Sequence, residues 1–367
     1  MPTAFGLALQ LGWIEAEFAR DPDIDIRALQ TSADPKVHQS HFSHTQENSF
    51  RQGGNLPAVW ARANGSDTRV IGLSWIRGPY TALTLPGSGI RTAADLKGRR
   101  LLIVRRPNEE IDFVYAMTLR TYEAALASAG LTLADVQLVE HRVERSYVSD
   151  RVQPGGNRDY VDFRQGKKGG AAAALVTRLI RGEVDVIPSA SVGSLKLVEL
   201  LGLQVVFDEA SLDRSSVNNG KPETFAVSAR LAAERPDLVA RVLARALQAV
   251  EWAANNPADA VRFVARELGA SEQQIVEAYG DTLQASLEID LAPANVEGLR
   301  QVQDFLHRHR LIARAFDIDA WIDPGPLQAA RALLDERRRT PAYRAEVAPR
   351  TGQQPSGVAP SQGCSVR

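Results

Sequence analysis

The chain has 367 residues, which is enough for two lobes that each have their own core. Its formal net charge of -1 argues against a surface built to bind nucleic acid or acidic lipid. The single cysteine, Cys364, excludes an internal disulfide and a cysteine cluster for zinc, and the apolar runs are shorter than the roughly 20 residues of a membrane span. We therefore expect a small-molecule or protein partner, without cofactor, metal or membrane span.

The first predicted element is a helix at residues 3–19, which is crowded with apolar residues and which Thr3 can cap. Residues 24–29 alternate apolar and polar side chains, as a half-buried strand does. A segment that contains two adjacent glycines comes next. After it the pattern predicts a helix and two strands, at residues 56–63, 70–76 and 81–85.

Strands and helices alternate along the middle of the chain. The predicted strands are residues 101–104, 136–139, 184–187 and 203–207, and the predicted helices are residues 111–129, 171–181 and 194–201. This alternation predicts a mostly parallel sheet with helices on both faces. A strand follows at residues 224–228. Three helices come after it: one at residues 237–255, one that begins at Pro257, and one at residues 295–308. Residues after about 335 lack periodicity, which predicts a disordered tail.

The segment before the helix at 56–63 predicts an anion pocket. Gly53 and Gly54 allow the backbone to approach a ligand closely, and the helix that follows offers free N–H groups near Asn55. Arg51 adds a permanent cation whose forked donors suit a carboxylate, sulfonate or sulfinate. The plain alternative is a simple turn with Arg51 in solvent or paired with Glu47. We favour the pocket, with His41 facing it.

Other polar residues are weaker ligand candidates. Ser189 and Ser191 follow a predicted strand of the second lobe and could offer hydroxyl groups, or could cap the next helix. Thr224 is expected near a crossing between the lobes, and Thr3 lies at the start of the first helix. We interpret His44 as an ordinary surface or loop residue rather than as a metal ligand.

Three passages together resemble the type 2 periplasmic binding proteins, in particular the branch that binds sulfonates, nitrate-like anions and thiamine precursors. They are a helix-to-strand step, a turn before a strand, and a strand-to-helix passage, at residues 182–187, 95–100 and 228–237. The resemblance covers roughly residues 2–326. It implies an α/β fold of two doubly wound lobes around a cleft. The expected divisions are lobe I at 1–98 and 209–334, lobe II at 99–208, and a tail at 335–367.

Within that superfamily, His41-Phe42 ten residues before Arg51 and followed by Gly53-Gly54 is similar to the hydroxybiphenyl-sulfinate desulfinases. Residues 303–306 and 319–321 are similar to the C-terminal region of the same enzymes. The resemblance implies that His41 is the active-site histidine. It also implies that Arg51 grips the sulfinate and that Gly54 donates a backbone N–H.

One departure concerns the start of the sequence. The desulfinases use a cysteine in a Cys-Pro-x-Pro segment before the first helix, and Pro2 is similar to its second proline, so the nucleophile's position would precede Met1. A doubly wound lobe also begins with a central strand, which is absent before the predicted first helix. We expect a truncated or misassigned start, which would also hide any export signal.

Two functions remain open at this point. The first is a solute-binding protein that delivers a small organic anion, a sulfonate above all, to an ABC transporter permease outside the cytoplasm. The second is a cytoplasmic sulfinate desulfinase in which His41 and Arg51 are catalytic and the cysteine lies upstream of Met1.

Overall fold

The fold is that of a computed structural model, which describes residues 2–29, 32, 34–76, 78–144, 170–190, 192–212, 219–280, 283–349 and 363–366. The prediction of an α/β protein with two lobes is confirmed, and the sheets are open. In the part of the chain so described, no helix is long and apolar enough to cross a bilayer.

The first lobe begins with helices and strands that alternate along the chain. They are α1 (Ala4–Gln10), α2 (Trp13–Phe18), β1 (Ile26–Ala28), α3 (Pro35–Ser43), β2 (Ser49–Gly53), α4 (Asn55–Ala63) and β3 (Thr68–Ser74). The predicted helix at 3–19 is divided because Gly12 adopts a left-handed conformation, with φ 73°, between α1 and α2. Helix α3 was not predicted. It contains two histidines and two serines, which weaken the apolar pattern of a helix.

The second lobe follows the predicted alternation closely. It contains β4 (Tyr80–Thr84), β5 (Arg100–Arg105), α5 (Phe113–Ser128), β6 (Gln137–Arg142), α6 (Gly170–Ile180), β7 (Ile187–Ala190), α7 (Val192–Leu201) and β8 (Gln204–Asp208). Strand β4 pairs with β7 and β8, both antiparallel, whereas β5 and β6 are parallel, so the prediction of a mostly parallel sheet is wrong for the described strands. Because β4 belongs to this lobe, the first crossing lies before Tyr80 rather than at the expected residue 98.

The chain then returns to the first lobe. The elements are β9 (Glu223–Ser228), α8 (Ala229–Glu234), α9 (Pro236–Asn255), α10 (Pro257–Leu268), α11 (Glu272–Tyr279), α12 (Leu283–Ser286), α13 (Pro293–Arg308), α14 (Ile318–Trp321), α15 (Gly325–Arg337), α16 (Pro341–Val347) and β10 (Gly363–Val366). The expectation of a disordered tail from 335 needs correction, because α15 continues past that residue and α16 and β10 follow. Residues 350–362 lie outside the described chain.

The five-stranded sheet of the first lobe has the order β1-β10-β2-β9-β3. Strand β10 lies antiparallel between β1 and β2, with Gly363 opposite Arg51 and Cys364 opposite Phe50. The position expected for a central first strand is thus taken by residues from the other end of the sequence. This pairing satisfies backbone N–H and C=O groups of β1 and β2 that would otherwise lack partners.

The core of the first lobe lies between this sheet and the helices α1 and α9. Its largest side chains include Phe5, Phe50, Phe225 and Trp252, all fully buried. Phe5 and Phe225 have ring centroids 5.2 Å apart, so α1 is held directly on β9. Burial of each such side chain contributes about 2–3 kcal/mol to the free energy of folding, which holds α1 against the sheet.

The two lobes contact each other beside the cleft. Phe42 of α3 stacks on Phe113 of α5, with centroids 5.3 Å apart and ring planes inclined by 14°. Helix α13 packs on α4 and also reaches α5, where Glu123 binds Arg308 at 3.0 Å and His309 at 2.7 Å. These contacts hold the lobes close together.

A buried lysine joins the two crossings between the lobes. Lys221, which is 4% exposed, donates to the carbonyl oxygen of Gly78 at 3.1 Å and to Oε1 of Glu209 at 3.4 Å. Gly78 lies in the first crossing, whereas Glu209 and Lys221 lie in the second. The two connecting segments are therefore held side by side.

Candidate functional site

The candidate site lies at one end of the strands of the five-stranded sheet, where β2 and β3 end and β9 begins. Strands β2 and β3 both run antiparallel to β9, so they end where β9 begins. Gly53 and Leu73 are both opposite Thr224, and Ser74 is opposite Glu223. Helix α4 starts directly after β2. In open α/β sheets, ligands bind at this kind of edge.

Arg51 is the buried cation of the site, with 5% exposure. Its Nε donates to the carbonyl oxygen of His41, and its Nη1 donates to the carbonyl oxygen of Gly54, both at 2.9 Å. Burial lowers the pKa of Arg51 to about 10, against the opposing charge of Glu223. Arg51 remains charged at pH 7, and no carboxylate among the described residues forms an ion pair with it. A buried cation of this kind favours an anionic ligand.

Gly53 lies against the guanidinium group. A Cβ atom at this position would come within 3.0 Å of Arg51 Nη2 and 3.2 Å of Arg51 Cζ. A larger residue would have to displace the guanidinium from its present position. The glycine therefore allows close packing beside Arg51, whereas the sequence analysis expected it to allow close approach of a ligand.

The N-terminus of α4 provides a second feature that suits an anion. Gly54 caps the helix without a side-chain hydrogen bond, so the backbone N–H groups of the first turn are not capped by that residue. Asn55, the first residue of the helix, has 0% exposure. Neither Nδ2 nor Oδ1 of its side chain has a hydrogen-bond partner among the described residues. A buried amide without partners is costly, and a ligand could supply them.

Glu223 was not predicted, and it introduces a buried acid at the same edge. The residue is 1% exposed, and its Oε2 accepts a hydrogen bond from the hydroxyl of Ser74 at 3.3 Å. Oε1 has no partner within the part of the chain described. Burial raises the pKa of Glu223 to about 7. A glutamate that opens a strand whose residues are all buried is the signal that could have revealed it.

A chain of hydrogen bonds connects Glu223 with α1. Gln52 donates from Nε2 to Ser74 Oγ at 3.3 Å and accepts at Oε1 from the backbone N–H of Phe5 at 2.9 Å. Thr3 caps α1 as predicted, because its Oγ1 accepts from the N–H of Gly6 at 2.9 Å. The start of α1 is thereby fixed next to the ends of β2 and β3.

His41 in α3 and His44, the residue that follows the helix, are both buried. His41 is buried and approaches Arg51 through its backbone carbonyl. Of the two options for His44, surface residue or loop residue, the first is wrong because it is buried; it lies directly after α3 in a left-handed conformation, with φ 54°. Burial, and then the charge of Arg51, lower the pKa of His44 well below its usual range. Helix α3 packs against α4, and Ser66 Oγ, in the segment after α4, donates to the carbonyl of Ser43 at 2.8 Å.

The remaining predicted residues divide between the lobes. Thr224 lies beside Gly53, and its Oγ1 donates to the carbonyl oxygen of Gly53 at 3.4 Å. Ser189 is half-buried on β7 of the second lobe, where its carbonyl accepts from Thr81 Oγ1 at 3.5 Å. Ser191 lies outside the described residues. The structure thus brings Arg51, Gly53 and Thr224 together where β2 ends and β9 begins.

A separate surface cavity of about 430 Å³ lies on the second lobe. Its lining includes Arg91, Thr92, Ser128, Phe207 and Asp208. Arg91 and Thr92 are exposed, so this cavity does not combine a buried cation with a buried amide that lacks partners. We therefore place the candidate site at the sheet edge.

Comparisons with known proteins give matches of two kinds. The chain is 26% identical over 303 residues to 2'-hydroxybiphenyl-2-sulfinate desulfinase of Rhodococcus erythropolis and to that of Rhodococcus qingshengii, which covers 77% of this chain and 81% of each relative. No family model matches.

Among solved structures, the desulfurization enzyme DszB in complex with biphenyl-2-sulfinic acid has a TM-score of 0.70 at 22% identity, covering 90% of this chain and 96% of DszB. The aliphatic sulphonate binding protein SsuA of Escherichia coli has a TM-score of 0.58 at 16% identity, covering 86% and 88%. The SsuA of Xanthomonas axonopodis bound to MOPS has a TM-score of 0.56 at 17% identity, and the match covers 88% of this chain and 96% of that SsuA. The chain therefore has the two-lobed fold of the periplasmic binding proteins and resembles hydroxybiphenyl-sulfinate desulfinase in sequence.

Proposed function

We propose that the chain is the solute-binding protein of an ABC-type uptake system for a small organic anion, with a sulfonate as the first candidate. The observation that carries this proposal is Arg51, a buried guanidinium that backbone carbonyls orient and that no described carboxylate pairs with. Removing a charge from water is costly unless an opposite charge compensates it. A bound oxyanion would supply that charge.

The neighbourhood of Arg51 suits a sulfur oxyanion in particular. Arginine can donate to two oxygens of one anionic group, and the first turn of α4 adds backbone donors that suit a third oxygen. Asn55 adds an amide without a partner among the described side chains. Several neighbours in the comparisons bind sulfonates or a sulfinate, which supports the same chemical class.

Transport would also require movement between the lobes. In this proposal the lobes open and close about the two crossings, which Lys221 holds side by side. The contact between Glu123 and the end of α13 would form on closing. A permease would then receive the anion from the opened cleft.

The binding proposal can be tested by isothermal titration calorimetry with ethanesulfonate, MOPS, biphenyl-2-sulfinate and acetate in Tris buffer. We expect one site for at least one sulfur oxyanion. Arg51→Ala should weaken its binding by about 1.5–3 kcal/mol, because a charged hydrogen-bonding group is lost. Arg62→Ala, at the other end of α4 and paired with Asp67, is the matched control and should bind normally. Equal affinity in Arg51→Ala would remove Arg51 from the site.

A second candidate function is sulfinate desulfinase, which the sequence similarity to the Rhodococcus enzymes favours. In that reaction water breaks the C–S bond of an aryl sulfinate, so the ring carbon gains hydrogen and sulfur leaves as sulfite. Arg51 would orient the sulfinate, and His41 would transfer a proton. Release of sulfite from biphenyl-2-sulfinate by a chain that carries the cysteine expected upstream of Met1, abolished in Arg51→Ala, would favour this function over transport.

A further inference from the structure

Asn55 carries a buried amide at the proposed anion site. The residue opens α4 with 0% exposure, and both Nδ2 and Oδ1 lack a hydrogen-bond partner among the described residues. An amide nitrogen only donates hydrogen bonds, whereas an amide oxygen only accepts them. Exchanging the two atoms would change nothing, because one donor group and one acceptor group would still be unpaired. A ligand that satisfies this side chain must therefore supply both an acceptor and a donor.

A hydrogen bond places the backbone of Asn55 beside the guanidinium of Arg51. Nη1 of Arg51 donates to the carbonyl oxygen of Gly54 at 2.9 Å, and this carbonyl belongs to the peptide group that joins Gly54 to Asn55. Helix α4 also contacts α5 of the second lobe, so the helix lies where the two lobes meet. An anion held by Arg51 at the start of α4 is therefore close to the side chain of Asn55.

Most polar groups around Arg51 donate hydrogen bonds or are already engaged. The guanidinium and the backbone N–H groups in the first turn of α4 only donate. The carbonyl oxygens of His41 and Gly54 accept from Arg51, and the carbonyl of Gly53 accepts from a threonine hydroxyl of β9 at 3.4 Å. Sulfonate oxygens only accept, so they suit Nδ2 of Asn55 but not Oδ1. Oδ1 requires a donor elsewhere on the ligand.

We propose that the preferred ligand carries a hydroxyl group close to its acid group and that Oδ1 of Asn55 accepts a hydrogen bond from this hydroxyl. The inference rests on the proposed function and deepens it by naming a substrate class, the hydroxyalkanesulfonates. An ammonium group would also donate, but it would place a second cation beside the buried guanidinium of Arg51, with which no described carboxylate forms an ion pair. A hydroxyl supplies the donor without that repulsion.

The test compares small sulfonates that differ at a single carbon atom. They are 2-hydroxyethanesulfonate, ethanesulfonate and taurine, which carry a hydroxyl, a hydrogen and an ammonium group at that carbon. Binding of each to the full chain is measured by calorimetry in Tris at neutral pH. We expect 2-hydroxyethanesulfonate to bind about fivefold more tightly than ethanesulfonate, which is the effect of one hydrogen bond. Taurine should bind more weakly than either, because its ammonium group is repelled by Arg51.

Variants at the two ends of α4 assign the preference to one amide. Asn55→Ala should bind 2-hydroxyethanesulfonate and ethanesulfonate equally, because loss of Oδ1 affects only the hydroxyl ligand whereas loss of Nδ2 affects both alike. Asn64→Ala removes an exposed amide directly after the last residue of the helix, and this matched control should keep the full preference. Circular dichroism establishes that both variants are folded. The comparison of ligands on the unaltered chain does not depend on either variant.

The outcomes separate this inference from the proposed function. Equal binding of 2-hydroxyethanesulfonate and ethanesulfonate by the unaltered chain, or a preference for taurine, overturns the recognition of a hydroxyl and leaves the anion site intact. A preference for the hydroxyl that persists in Asn55→Ala assigns it to another group and also overturns the inference. Absence of binding by every sulfonate overturns the anion site and its substrate class together.

Discussion

Arg51 and His41 are joined by a hydrogen bond from the guanidinium Nε to the backbone carbonyl oxygen, 2.9 Å long, across ten residues of sequence. A second bond from Nη1 to the carbonyl of Gly54 fixes the other side of the group. The two bonds orient the guanidinium plane before any ligand arrives. Such preorganisation lowers the conformational entropy that binding must otherwise cost.

Arg51→Lys should bind sulfur oxyanions almost as poorly as Arg51→Ala. Lysine keeps the charge, but its single ammonium cannot hold the carbonyls of His41 and Gly54 and still present two parallel donors to an anion. We expect at least a tenfold loss of affinity by calorimetry, about 1.4 kcal/mol. Affinity equal to that of the unaltered chain would mean that charge alone, and not the fork, matters at this position.

Gly53→Ala should weaken anion binding and leave the fold in place. The new methyl group would lie at 3.0 Å from Arg51 Nη2, so the guanidinium has to move. We expect a loss of about 1–2 kcal/mol in binding, the size of a displaced hydrogen bond. Ser49→Ala, at the start of the same strand, is the control and should bind normally. Unchanged binding by Gly53→Ala would show that the guanidinium tolerates another position.

Asn55→Ala should affect stability and binding in opposite directions. The buried amide has no partner among the described residues, so its removal should stabilise the folded protein by about 1 kcal/mol in urea denaturation. The same change should weaken binding of an oxyanion that uses the amide. A loss of stability together with unchanged binding would indicate that Asn55 is purely structural.

Glu17 should make the stability of the first lobe depend on acid pH. The side chain is 7% exposed and binds three arginines of α9 and α15. Burial alone would raise the pKa of Glu17. Hydrogen bonds and charge from these arginines nevertheless lower it below its usual 4.5. The contribution of Glu17 to the free energy of unfolding is therefore complete above pH 4.5 and is lost as pH falls through its lowered pKa.

Glu17→Gln should accordingly reduce the free energy of unfolding at pH 7 by about 2 kcal/mol and weaken its dependence on pH below 4.5. Glu15→Gln, two residues earlier in α2, serves as the control and should change stability little. An unchanged unfolding midpoint in Glu17→Gln would show that the three arginines find other partners.

Local sequence patterns identify most residues of the proposed anion site. One short stretch of sequence contains Arg51, Gly53, Gly54 and Asn55. A glycine pair before a helix was therefore enough to place these residues together. Glu223 could not be found in this way, since its place beside Ser74 depends on the pairing of β9 with β3. Sequence periodicity does not report which distant strands become neighbours.

Two other features were missed for related reasons. Helix α3 has a polar composition, and its place in the fold depends on packing against α4, which local periodicity does not report. Strand β10 is four residues long and lies in a polar tail, so no alternation marks it. Its place between β1 and β2 depends on backbone pairing across the length of the chain.

The most direct measurement is a crystal structure of the chain with ethanesulfonate bound. Our account predicts sulfonate oxygens about 3 Å from the guanidinium of Arg51 and from the backbone N–H groups at the start of α4. A sulfonate bound only elsewhere, for example beside Arg91 on the second lobe, with Arg51 still without an anionic partner, would contradict it.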